Sequence, residues 1–210
     1  MILVASDIHS NNLVFAKILE REEFEAIFVC GDITDFRGED VLSFERVVRE
    51  YEVPCFAVHG NCDDSLAIKL LESSEVITFL HGRSVEFNGF LIHGVGGSNR
   101  TPFYTPSEYS EEYIESVLKR FNISGNDILL AHCPPYGILD RTYEGIHAGS
   151  TSIAMHVKKF QFVFCGHIHE AKGVEKVKNT ILVNPGSAAS GNYALVDLEK
   201  SEVYLKNVYE

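Results

Sequence analysis

With 210 residues and a net charge of −12, the chain is long enough for one domain with a sizeable core and too acidic to grip nucleic acid through a broad basic face. Its charged fraction of 23% against 45% apolar is that of a folded globular protein and excludes disorder. No apolar run reaches bilayer-spanning length, the N-terminus lacks a basic leader before Asp7, and five cysteines are an odd number in a chain needing no staples, so a cytoplasmic protein with reduced thiols is expected.

Ile2 to Ala5 reads as a buried strand, with Ser6-Asp7-Ile8-His9 at its carboxyl end. Asn11 or Asn12 then caps a helix carrying Leu13, Val14, Ile18 and Leu19 on one face. A second run, Ala26 to Cys30, ends at Gly31-Asp32, and Val41, Leu42, Phe44, Val47 and Val48 form a helical pattern. Val53 to Val58 is the third strand, ending at His59-Gly60-Asn61-Cys62-Asp63, with Asp63 read either as orienting a ligand residue or as the cap of a helix near Ser65. This alternation signals parallel βαβ units, whose ligands bind at the carboxyl ends of the strands.

The middle changes character. Asn88-Gly89 between two apolar pieces of 85–92 is a hairpin signal, and 93–100, from His93 through Gly94, Gly96 and Gly97, reads as a glycine-rich loop. A helix is expected from Ser107 to Phe121, with acids near its start. Asp127 to Ala131 is a further strand, ending at His132-Cys133-Pro134-Pro135, and 136–150 is a polar loop holding Asp140, Arg141 and His147. After a helix over 152–159, Phe162 to Phe164 ends at Cys165-Gly166, followed by His167 and His169. Residues two apart in extended backbone face one side, so these imidazoles leave the sheet together. The rest reads as antiparallel: 174–178, 181–183, 193–198 and 203–208. No repeat or linker divides 1–210, which is read as one domain.

Five strand ends thus carry Asp7 with His9, Asp32, Asn61, His132, and His167 with His169. Seven oxygen or nitrogen ligands, with one carboxylate shared, suit a binuclear centre of borderline ions such as Mn(II), Fe or Zn(II), manganese being the first choice. The ordered blocks Asp7-Ile8-His9, Gly31-Asp32, Gly60-Asn61, His132 and Gly166-His167-Ile168-His169 resemble the calcineurin-like metallophosphoesterase superfamily. Gly94 to Ser98, His132 to Gly137 and Asn184-Pro185-Gly186-Ser187 resemble its small single-domain prokaryotic members.

The resemblance implies an αββα sandwich, two mixed β-sheets flanked by helices. It implies that Asp7, His9 and His169 hold one metal, Asn61, His132 and His167 the other, and that Asp32 bridges them. Two cations about 3.5–4 Å apart activate a shared water as the nucleophile, so Asp32, Asn61 and His132 are expected to serve catalysis as well as binding. A small phosphorylated substrate, more readily a phosphodiester than a monoester, follows as the partner, with no membrane, and a homo-oligomer is compatible with the sequence. A nuclease and a catalytically weak scaffold of the same fold are the alternatives.

Many members of the superfamily carry histidine after Gly-Asn, where it helps to protonate the leaving oxygen; here that residue is Cys62. A neutral thiol is a poor substitute for imidazolium, which points to substrates with good leaving groups. Cys62 as a zinc-selecting thiolate is the other reading, although the ligand set is complete without it. Arg141 is the candidate phosphate clamp, and His93 and His147 are candidates for lining the substrate pocket.

Overall fold

Short apolar runs alternating with amphipathic segments build two six-stranded sheets in the computed structural model, which describes residues 1–210. In chain order the elements are β1 (Ile2–Ala5), α1 (Asn12–Glu20), β2 (Ala26–Cys30), α2 (Val41–Arg49), β3 (Cys55–Val58), α3 (Ser65–Ser73) and β4 (Ile77–Phe79). Then follow β5 (Ser84–Phe87), β6 (Phe90–Val95), β7 (Ser98–Asn99), β8 (Glu108–Tyr109), α4 (Glu111–Leu118), β9 (Asp127–Ala131), α5 (Thr151–His156) and β10 (Phe162–Phe164). The chain closes with β11 (Gly173–Val177), β12 (Thr180–Asn184), β13 (Asn192–Asp197) and β14 (Glu202–Asn207).

The first sheet runs β14-β13-β1-β2-β3-β4 and the second β11-β12-β10-β9-β6-β5; β7 and β8 pair separately. Strands β1, β2, β3 and β4 are mutually parallel, and so are β6, β9, β10 and β12. The antiparallel tail divides between the sheets. The β11/β12 hairpin completes the second and β13/β14 the first, with β13 antiparallel to β1. Both sheets are therefore mixed, and the αββα architecture expected from the resemblance is the one observed.

Three apolar layers hold it together. Ile2, Val4, Phe28, Phe56 and Val58 of the first sheet meet Ile92, Ile128, Leu130, Phe162 and Phe164 of the second. Phe28 sits at the middle of this layer, edge-on to Phe56, Phe87 and Phe164 with ring centroids 5.4, 6.3 and 5.8 Å away, a geometry that suits aromatic quadrupoles. Helices α1, α2 and α3 cover the outer face of the first sheet through Phe15, Ile18, Phe44 and Leu71, while α4 and α5 cover the second through Ile114, Val117 and Ile153.

Several elements differ from expectation for local reasons. Leu13 is 81% exposed, because Val14, Phe15, Ile18 and Leu19 form the buried stripe of α1. Helix α4 starts at Glu111 with Ser110 as its cap, since the Ser107 hydroxyl is committed to the Asp63 carbonyl 2.6 Å away. Asp64, not Asp63, caps α3, accepting from Leu66 and Ala67 N–H at 2.9 Å. Asn88 and Gly89 both take positive φ (50° and 79°), the left-handed pair that a tight hairpin needs.

His93 is the clearest correction. It lies inside β6, fully buried, where Ser84 Oγ stands 2.7 Å from Nδ1 and Asp127 Oδ1 stands 2.8 Å from Nε2. The glycine beside it marks a close strand approach, not a loop: a Cβ on Gly94 would collide with Leu80. His93 is an internal hydrogen-bonding partner of Ser84 and Asp127 and does not line a substrate pocket.

Candidate metal centre

Parallel pairing in both sheets brings the polar residues after β1, β2, β3, β9 and β10 to one end of the sandwich. Three glycines let these turns approach each other. A Cβ on Gly60 would fall on the Asp32 carboxylate and backbone nitrogen, and one on Gly166 would fall on Ser6 Oγ and Asp7. One on Gly31 would lie 2.7 Å from His132 Nδ1. Backbone hydrogen bonds stitch the turns together: Asp7 N–H donates to Gly31 O (3.0 Å), His9 N–H to Asp32 O (2.9 Å) and Gly166 N–H to His132 O (2.9 Å).

Asp7, His9, Asp32 and His167 all have left-handed backbone, with φ of 57°, 46°, 49° and 67°. Each such residue costs on the order of 1–3 kcal/mol and is kept only where surrounding contacts over-determine it. Here the sharp bends aim the side chains inward over the strand ends.

The donor atoms of Asp7, His9 and His169 lie within 4.8 Å of one another, and the same holds for Asp7, Asp32 and His132 and for His9, Asp32 and Cys62. Asp32, only 2% exposed, divides its oxygens between the two sides. Oδ2 is 3.7 Å from His9 Nε2, and Oδ1 is 3.5 Å from His132 Nε2 while accepting from Cys62 N–H at 2.8 Å. His169 Nε2 lies 3.3 Å from Asp7 Oδ1 and 3.4 Å from His9 Nε2. The His167 ring stands 5.0 Å from that of His132, and its backbone N–H donates to both Asp7 oxygens at 3.1 and 3.2 Å. Five of the seven ligand candidates, Asp7, His9, Asp32, His132 and His169, thus share donor clusters, with Asn61 joined through His132 and His167 placed beside that ring.

The chemistry of this donor set fits cations. The Cys30 carbonyl can only accept, so its 2.7 Å contact places a proton on His132 Nδ1; in the neutral ring, the form a cation would bind, Nε2 is then left as a lone pair. That lone pair points at Asn61 Oδ1, 2.8 Å away, while Asn61 Nδ2 donates elsewhere, to Thr105 Oγ1 at 3.1 Å. With the ring neutral, two acceptors face each other there, an arrangement that a cation against both would relieve.

Electrostatics agree. Burial raises the Asp7 pKa, but the His169 hydrogen bond and the His132 charge outweigh it and hold the carboxyl well below its usual range. The same hydrogen bond raises His169. Burial and neighbouring His132 push His167 down to about 4, so it is neutral and able to ligate. For Cys62, burial and then the Asp32 charge push the thiol far up, so without a cation against it the thiol stays protonated.

Two supports brace these turns from outside the ligand set. Asp63 is fully buried and collects Gly60 N–H (2.7 Å), Ile33 N–H (3.2 Å), Thr34 N–H (2.8 Å) and the Thr34 hydroxyl (2.9 Å), fixing the Asp32 turn against the Asn61 turn. Burial and the Asp32 charge push its pKa up to about 6, against the pull of those donors. The Asn184-Pro185-Gly186-Ser187 turn does the same on the other side. Asn184 Nδ2 donates to Ile168 O at 2.9 Å, and Ser187 Oγ donates to Asp7 O at 2.9 Å.

Arg141 and His147 line a cavity of about 250 Å³ together with Asp140 and Lys172, reaching Ala171, two residues beyond His169. His147 Nδ1 is held 2.6 Å from Asp140 Oδ1, whereas Arg141 is exposed.

A family model described as metallophosphoesterase, calcineurin superfamily, matches residues 20–208, a stretch that begins after Asp7 and His9. The chain is 38% identical over 192 residues to the uncharacterized protein MJ1162 of Methanocaldococcus jannaschii, covering 86% of this chain and 84% of that one. Among solved structures, TT1561 of Thermus thermophilus superposes with a TM-score of 0.75 at 22% identity, covering 99% of this chain and 98% of that one. A dimetal phosphatase from Danio rerio gives a TM-score of 0.61 at 11% identity, covering 98% and 95%. At such identities the structural likeness speaks for the fold.

Proposed function

The chain belongs to the calcineurin superfamily of metallophosphoesterases, and from that premise we propose that it hydrolyses small phosphodiesters with two divalent cations, manganese first among them. One observation carries the reading: the Asp32 carboxylate splits its oxygens between the His9 side and the His132 side of a single cluster. Asp7, His9 and His169 would hold one ion, Asn61, His132 and His167 the other, with Asp32 shared. When bound, such ions supply Lewis acidity, lowering the pKa of a shared water toward neutrality and offsetting charge on the phosphate.

The residues themselves set up the rest. His132 is held in one tautomer by the Cys30 carbonyl, so its free lone pair stays aimed inward. Asn61 contributes a neutral amide, which leaves the site cationic enough for an anionic substrate. Arg141 and Lys172 bring two cations, beside His147 and the carboxylates of Asp140 and Glu175, to a cavity bordering the His169 turn, where Arg141 would clamp a remote anionic group of the substrate. No helix is long and apolar enough to cross a membrane.

The direct test offers bis(p-nitrophenyl) phosphate, p-nitrophenyl phosphate and single-stranded DNA to protein stripped and reloaded with Mn(II). Faster turnover of the diester supports the proposal. Cleavage of DNA alone would make it a nuclease, and metal uptake without any turnover would make it a scaffold.

Binding should also be visible in stability. Mn(II) at about 100 times its Kd adds about 2.7 kcal/mol per site, which in a protein of this size moves Tm by roughly 5–10 °C relative to protein in EDTA. Identical melting curves with and without Mn(II), Fe(II) or Zn(II) would contradict a metal cage here.

Cys62 sets the leaving-group preference. It is buried beside Asp32 with its thiol protonated, and it offers little of the proton donation that imidazolium gives. Cys62→His is therefore expected to raise turnover of alkyl diesters by on the order of tenfold or more and to leave aryl diesters nearly unchanged. The measurement is log kcat against leaving-group pKa across an ester series. An unchanged slope would remove this role from the position.

A further inference from the structure

The geometry points to Thr105 and Glu108 as positioning residues that lock the Asn61 amide in its metal-binding orientation, a conclusion that rests on the two-cation reading above. An asparagine can present either its oxygen or its nitrogen, and only the oxygen ligates a cation. Which end faces His132 is decided on the far side of the amide.

Glu108 gathers four hydrogen bonds in the 101–108 loop. Thr101 N–H reaches Oε2 at 3.0 Å, while the Thr101 hydroxyl, the Thr105 hydroxyl and Thr105 N–H reach Oε1 at 2.6, 2.7 and 2.9 Å. Although burial opposes ionisation, these donors hold Glu108 below the usual glutamate range, so it acts only as an acceptor. The single Thr105 proton is therefore committed to Glu108. What Thr105 Oγ1 has left is a lone pair, and a lone pair accepts the Asn61 Nδ2 proton at 3.1 Å. Polarity thus passes in one direction, from Asn61 through Thr105 to Glu108, and Asn61 Oδ1 is left facing His132 Nε2.

The alternative is easy to see. Turned over, the amide would donate Nδ2–H to the His132 lone pair and satisfy that histidine with no cation, closing the second site on itself. It would also set Asn61 Oδ1 against a Thr105 oxygen with no proton to give. Glu108 therefore disfavours the self-satisfied arrangement and keeps the open one. The same loop grips the turn by its main chain, with Ser107 N–H donating to Asn61 O at 3.0 Å and Ser107 Oγ to Asp63 O at 2.6 Å, so losing the Thr105 hydroxyl removes the polarity without freeing the loop.

The experiment titrates metal-free protein with Co(II), following the visible absorption of each bound ion and counting ions retained after gel filtration. Wild type is expected to take up two. Thr105→Val should bind the first as wild type does and the second about 10–100-fold more weakly, the range typical for lost partners of a ligand. Thr105→Ser, which keeps the hydroxyl, should restore it. Glu108→Gln frees the threonine proton to turn and should weaken the same ion, and it carries the test if the valine variant does not fold. Full-affinity uptake of both ions by Thr105→Val or Glu108→Gln overturns this inference alone, as does a serine variant as weak as the valine one. Failure of wild type to take up any ion overturns the two-cation reading and this inference with it.

Discussion

Asp32→Ala is expected to lower turnover of bis(p-nitrophenyl) phosphate by about 10³-fold or more, with the protein still folded. Asp32 gives one oxygen to each half of the cluster, Oδ2 3.7 Å from His9 and Oδ1 3.5 Å from His132. Removing it leaves each proposed ion with fewer donors and lets the pair repel at short range. Asparagine does not rescue this, because a neutral amide offsets no cationic charge. The fold tolerates the change better than the chemistry does. Asp32 presses on Asp63 as a like charge, so its loss relieves one repulsion even as Cys62 N–H loses its acceptor. Retained far-UV circular dichroism with a kcat at wild-type level would show that hydrolysis takes place elsewhere on the molecule.

The second large effect is on stability. Asp63→Ala is expected to cost about 3 kcal/mol or more in urea unfolding, because it removes the acceptor of three N–H groups and one hydroxyl in a fully buried setting. Two effects oppose each other here. Burial and the Asp32 charge disfavour the carboxylate, which lessens the penalty of losing it. Each stranded buried donor, however, costs roughly 1–3 kcal/mol, and several are stranded at once. The donors win. Since those bonds set the spacing between the Asp32 and Asn61 turns, Co(II) uptake should weaken in parallel. An unfolding midpoint within experimental error of wild type would mean the two turns are positioned by the glycine contacts alone.

Much of the centre was legible because its signal is local. An apolar run that stops at a polar residue identifies a strand end, and parallel pairing then places all such ends on one side, so Asp7, Asp32, Asn61, His132 and His167 could be named without coordinates. What escaped depends on distant partners. Asp63 reads from the sequence as a helix cap or as the orienter of a ligand, and what decides between them, three donors on Ile33 and Thr34, lies on a distant turn, while adjacent Asp64 caps the helix. His93 looked like a loop ligand because glycines follow it, yet the pairing of β6 with β9 carries the strand on to Val95. Period-two alternation revealed four strands in the tail without saying that β11 and β12 join one sheet and β13 and β14 the other. The short strand β4 has too few residues to display any period, and it was not foreseen. Thr105 and Glu108 carry no recognisable motif at all; only their hydrogen bonds single them out.

The left-handed bends under Asp7, His9, Asp32 and His167 have a consequence for how this protein can change. Glycine would take up those bends with less backbone strain than any of the four residues present. At Asp7 and Asp32 that gain is offset, because the backbone N–H groups of His167 and Cys62 would be left without their acceptors. Only at His9 and His167 does ease of the chain pull openly against the proposed chemistry, so those two positions are where a sturdier and a more useful molecule part company.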